Sequence, residues 1–146
     1  MSLSGEVAVV RQLAEVSEAF IGLAATLRSL PAVKTASHPC WMRTEERTGE
    51  DQHRVGRGVG FRVEWYAEAE FEDGSAISFG QELSWHDGEW TIDASVRVND
   101  DQGERVLLEL PRRYATEPAD LVSELRSQTR LLQEQEGEGI RLFLQR

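Results

Sequence analysis

The sequence predicts an α+β domain: a long N-terminal helix, a meandering antiparallel sheet of four or five strands, and a C-terminal helix, with both helices on one face of the sheet. Three observations carry this. Apolar residues fall at helical spacing from Gly5 to Leu30, at a two-residue period from Val55 to Leu110, and at helical spacing again after Pro111. The 146 residues suit one domain with its own core, taken here as a single unit over 1–146.

In the first segment Leu13, Val16, Phe20, Leu23, Leu27 and Leu30 step by three and four, and Val10, Ala14, Ile21 and Ala24 widen the stripe. A stripe this broad marks a core-facing helix, and Pro31 ends it. Residues 31–54 are less regular. Ser37–Met42 is expected to lead into a short edge strand, with Thr48-Gly49-Glu50-Asp51 as a turn, because long structureless loops are uncommon inside compact domains.

The sheet is the most legible part. Val59, Phe61, Val63, Trp65, Ala67, Ala69 and Phe71 alternate with mostly polar residues. Ile77, Phe79, Leu83 and Trp85 form the next apolar set, Trp90 through Val98 the third, and Val106, Leu108 and Leu110 the fourth. Glu72-Asp73-Gly74, Asp87-Gly88 and Asp101-Gln102-Gly103 each end in the glycine that tight hairpins favour. A three-residue first loop aligns Phe61 with Trp85 and Val63 with Leu83. A two-residue second turn aligns Trp85 with Trp90 and Leu83 with Ile92. A three-residue third loop aligns Val98 with Val106 and Val96 with Leu108. Each alignment keeps the apolar sets on one face, whereas a one-residue slip would invert a strand.

After Pro111, Thr116 is the expected N-cap of the second helix, with Pro118 in its first turn. Leu121, Val122, Leu125, Thr129 and Leu132 mark its inner face, and Gly137 and Gly139 are expected to end it. The tail from Ile140 is apolar, and a strand, a helical stub and an interface segment all fit it.

Hydrophobic residues make up 40% and charged residues 29%, a globular rather than a disordered balance. The single cysteine, Cys40, excludes an internal disulfide and a cysteine zinc site. No apolar run approaches a membrane span and the start lacks a basic leader region, so the expectation is a cytoplasmic protein. The net charge of −10 is concentrated: residues 54–110 hold 5 basic and 13 acidic side chains, a balance of −8. That disfavours nucleic acid and anionic membranes and suits a basic partner.

No metal-ligand spacing links His38, His53 and His86, and no cofactor motif occurs. His86 reads as a surface turn residue. His38 and Cys40 lack an orienting third group, and Gly56-Arg57-Gly58-Val59-Gly60 lacks the lysine and helix of a phosphate loop. The unusual constellation lies on the open face, where the register sets Glu64 opposite Glu82 and Glu82 opposite Asp93. Like charges across a ladder repel. Either the row is a solvated surface, screened by Arg62 and Arg97, or it recruits a partner's cations together with Tyr66 and Glu68. Tyr66, Gly80, Ser95 and Glu109 form the next row. On the apolar face Gln81 falls between Trp65 and Ala94, as a hydrogen-bonded core residue or the lining of a small cavity.

These features rank three functions. First comes a non-enzymatic protein-binding module, of the inhibitor, chaperone or immunity type, presenting the acidic open face to a basic protein. Second is a small-molecule-binding domain or enzyme with a pocket between helices and sheet near Gln81 and Trp65. Third is a homodimer burying the open sheet face.

Overall fold

The computed structural model describes residues 3–46 and 59–146. Among these the order is α1 (Leu3–Arg28), β1 (Val33–Ser37), β2 (Cys40–Glu46), β3 (Val59–Phe71), β4 (Ala76–His86), β5 (Glu89–Asp100), β6 (Gly103–Glu109), β7 (Arg113–Ala115), α2 (Pro118–Glu134) and α3 (Glu136–Leu144). The expected turn at Thr48–Asp51, the glycines Gly56 and Gly58, and His53 lie outside the described residues.

All neighbouring strands are antiparallel, and the seven strands occupy five lanes. β1 and β2 share the lane beside β3, and β6 and β7 share the lane beside β5. Each break falls at a proline on an outer lane: Pro39 separates β1 from β2 and Pro111 separates β6 from β7. The ladder reaches across the first gap, since Tyr66 N donates to Pro39 O at 3.0 Å.

Two turns match the sequence. Phe71 N donates to Ser75 O at 2.8 Å across a loop with Gly74 at φ 88°, and Asp73 accepts from the Ser75 amide and hydroxyl. Asp87 and Gly88 have φ of 53° and 82°, the two left-handed residues of a mirror-image turn. Phe61 therefore pairs with Trp85, Val63 with Leu83, Leu83 with Ile92 and Trp85 with Trp90. The third turn differs. Asp100 pairs with Gly103, so the connection is two residues long and Val98 faces Arg105 while Val106 faces Arg97. Asp100 accepts from Gln102 N at 3.0 Å, which tightens the loop by one residue. A bulge at Val96–Arg97 absorbs the shift and restores Val96 opposite Leu108. Val106, expected in the core, is 46% exposed as a result.

α1 and α2 lie side by side on the apolar face, α1 against β1 and β3, α2 against β5 and β7. Val9, Val16, Phe20, Leu23, Ala24 and Leu27 of α1 meet Val63, Trp65, Ala67 and Ala69 in one buried cluster. The buried stripe is narrower than the sequence suggested, for Val10 and Ile21 point outward. The helix also stops before Leu30: Pro31 disfavours a helical residue ahead of it, and Ala32 at φ 65° reverses the chain.

The cap of α2 is Glu117 rather than Thr116, without a side-chain cap bond and with Pro118 opening the helix. Leu121, Leu125, Thr129 and Leu132 are buried as expected, and Gln128 joins them. Gly137 and Gly139 do not terminate helix. The chain turns at Gln135 and continues as α3, whose Phe143 ring lies 4.8 Å from that of Phe71. Beyond it Arg146 donates to Asp100 at 2.8 Å, and Arg105 donates to both Asp100 oxygens at 2.7 and 3.0 Å. The Arg105 bonds, with help from Arg146, hold the Asp100 carboxyl well below the usual range. No described helix is long and apolar enough to cross a membrane.

Gly139 sits where α3 crosses the sheet. A Cβ there would lie 2.9 Å from Phe79 Cζ and 3.2 Å from Val96 Cγ1, whereas at Gly137 it would meet nothing within 4 Å. Gly139→Ala should therefore destabilise the domain by about 1–3 kcal/mol through overpacking. Gly137→Ala should stabilise it by about 0.5 kcal/mol through helix propensity. Urea denaturation of the two variants checks the contrast, and equal effects would refute the close packing of α3.

Candidate functional site: the open face of the sheet

The turns that bury the odd residues of β3 and β4 project the even ones outward, with no described helix above them. Glu64 pairs with Glu82 and Glu82 with Asp93. The row is interleaved with arginines. Arg43 lies 3.2 Å and Arg62 3.5 Å from Glu64 Oε1, Arg62 lies 3.1 Å from Glu82, and Arg112 donates to Asp93 at 2.7 Å. Arg97, expected to screen the row, instead bonds Ser95 and Glu104. Trp41, opposite Glu64 on the edge lane, is 59% exposed. Arg43 and Trp41 come from the least regular stretch of sequence, and Arg112 from the link after Pro111. None carried a periodic signal that could assign it to this face.

The electrostatics follow from partial burial. Glu82 is pushed above the ordinary carboxyl value chiefly by desolvation; Arg62 pulls the other way, while Glu64 and Asp93 add to the rise. Tyr66 is likewise raised, first by burial and then by Glu64 and Glu82. Its phenol stays protonated and donates to Glu64 Oε2 at 3.4 Å.

Beside this row the face is hollow. Tyr66, Gly80, Ser95 and Glu109 align across β3, β4, β5 and β6. Small outward residues of β4, Ser78 and Gly80, floor a trough of about 510 Å³. A Cβ on Gly80 would come within 3.2 Å of the Tyr66 ring, so glycine lets the phenol lie flat against the strand. The trough is lined by Glu68, Glu82, Asp93, Glu104 and Glu109 against Arg97 and Arg112. Glu82, Asp93 and Glu104 are ion-paired. Among the described residues no ion pair engages Glu68 or Glu109.

Trp65 and Gln81 lie on the opposite, inner face and are each 2% exposed. The Trp65 indole donates to Ser17 Oγ at 3.0 Å. Gln81 donates to Gln128 Oε1 at 3.1 Å and accepts from Thr129 Oγ1 at 2.8 Å; Gln128 in turn donates to Ile92 O at 2.9 Å and Pro111 O at 3.2 Å. This chain of bonds fastens α2 to the sheet and satisfies the core glutamine. Gln128, three residues after Leu125, shares the inner face with Thr129, but a long amide side chain gives no apolar signal to place it there.

Among the described residues His86 and Cys40 lie far apart on the sheet. The His86 ring lies against Gly60, where a Cβ would come 2.1 Å from Cε1; the half-buried imidazole is thus a packed residue rather than a surface turn residue. Cys40 pairs with Trp65, five residues along β3 from Gly60, or ~17 Å. Burial pushes its thiol up, away from the nucleophilic thiolate. Among the described residues no three His, Cys, Asp or Glu side chains converge as a metal set.

Comparison with models of protein families, with curated proteins and with solved structures finds no match to this chain.

Glu82 supplies a test of these electrostatics. Because folded Glu82 holds its proton to higher pH than the unfolded chain, the native state binds more protons in that interval, and stability falls as pH rises through it. Glu82→Gln removes the repulsion from Glu64 and Asp93 yet leaves Arg62 an acceptor. At pH 7 the variant should be as stable as the parent or more stable by about 0.2–0.5 kcal/mol. Its stability should also fall less between the ordinary carboxyl range and neutrality. Denaturation across pH measures both, and a clear loss at pH 7 would refute the account.

Proposed function

We propose that this domain is a non-enzymatic protein-binding module whose open sheet face receives a basic surface of a partner. The observation that carries the proposal is the trough over Ser78 and Gly80, with five carboxylates, two of them outside any ion pair among the described residues, against two arginines. Glu68 and Glu109 have free acceptor capacity for a guanidinium or ammonium group, which makes stronger hydrogen bonds to carboxylates than neutral donors do. The Tyr66 ring adds a flat surface against which a guanidinium packs well. Glu64, Glu82 and Asp93 are held by Arg43, Arg62 and Arg112, and they shape one wall of the site and set its field.

An oligoarginine peptide is a suitable probe. Binding followed by fluorescence anisotropy should weaken steeply with salt. The double variant Glu68→Gln/Glu109→Gln should bind about tenfold more weakly, because it removes two charge-assisted hydrogen bonds to the peptide. The control Glu6→Gln/Glu134→Gln removes the same charge from the exposed helix layer and should stay within about twofold of the parent. Equal weakening in the two variants would show that net charge alone attracts the peptide and would refute the site.

A further inference from the structure

α1 is apolar on two sides. One side is buried on the sheet, while on the other Val7, Val10 and Ile21 are 41%, 65% and 50% exposed, with Ala14 exposed between them. Steps of three, four and seven place Val7, Val10, Ala14 and Ile21 within about 60° of one another around the helix axis. Such a stripe on a helix whose opposite side is already packed marks a second contact surface.

The charges beside it say what fits. Arg11 and Glu18, both exposed and seven residues apart, fall on the same flank of the stripe. Among the described residues neither is ion-paired, whereas Glu15, further round, lies 3.7 Å from Arg126 of α2. We propose that the stripe docks a second copy of this chain, α1 against α1 in antiparallel orientation. With the two-fold axis crossing between Glu15 and Val16, Val10 meets Ile21 of the second copy and Ala14 lies beside the axis, where its small side chain permits close approach. In antiparallel pairing each flank meets its own counterpart, so Arg11 reaches Glu18 of the second copy and Glu18 its Arg11. A parallel pair would separate these charges. The pattern is thus complementary to itself in one orientation only, the property a two-fold interface requires. A single helix pair makes a small interface, so the association is reversible. It uses the helix layer and leaves the open sheet face free.

Sedimentation velocity on the full chain, with circular dichroism to verify folding, tests the proposal. The parent chain should show a monomer–dimer equilibrium, and Val10→Glu/Ile21→Glu should be monomeric at the same concentrations. Arg11→Glu and Glu18→Arg should each raise the dissociation constant about tenfold, because each turns two attractions into repulsions. The double variant Arg11→Glu/Glu18→Arg should return to within about threefold of the parent. A parent chain that stays monomeric at about 100 μM overturns the proposal. So does a dimer that survives Val10→Glu/Ile21→Glu, or a double charge swap no tighter than either single one. All four positions are exposed, and the charge-swap set stands by itself if the apolar variant does not fold.

Discussion

Asp87 and Gly88 both sit at positive φ, and the two-residue turn they make holds Trp85 opposite Trp90. The faces that β4 and β5 present to one another's layer follow from that parity. One residue more in the turn would send Leu83, Phe79 and Ile77 to solvent and bring Glu82 beneath the helices, where a carboxylate costs several kcal/mol to desolvate. The alternation of β3, β4 and β5 therefore does two jobs at once. It assembles a continuous apolar floor for α1 and α2, and it collects carboxylates and arginines on a surface that no described helix covers.

Legibility tracked periodicity. The central lanes were readable because apolar residues alternate over long runs and glycines mark the turns between them. β6 slipped because the Asp100 side chain tightens its turn and the Val96–Arg97 bulge compensates, and neither leaves a trace in an apolar pattern. The breaks in the outer lanes were signalled by Pro39 and Pro111 only in retrospect. Gly137 and Gly139 misled for a physical reason: glycine is usually a helix stop, but at Gly139 the approach of Phe79 and Val96 demands the absence of a side chain. On the open face Glu64, Glu82 and Asp93 were read in the right row, while the arginines that hold them came from segments with no period to follow.

The polar core is as organised as the apolar one. Gln81, Gln128 and Thr129 form a short hydrogen-bonded chain that ends on the carbonyls of Ile92 and Pro111, joining β4, α2 and the link between β6 and β7. Apolar packing alone would let α2 slide along the sheet at small cost, whereas directional bonds between buried amides define one position. The same economy appears at Asp100, where one carboxylate gathers the Gln102 amide, Arg105 and Arg146 and so ties the β5–β6 turn to the end of α3.

The interrupted outer lanes bear on how the molecule behaves when crowded. An exposed strand edge is a template on which another chain can add, and repeated addition leads to fibrils. Here each margin carries a proline, and Arg113 sets positive charge close to the second gap. Each margin is divided into runs of three to seven residues, a short template for an incoming strand. Splitting an edge into short runs is one of the ways a sheet is blunted against edge-to-edge pairing.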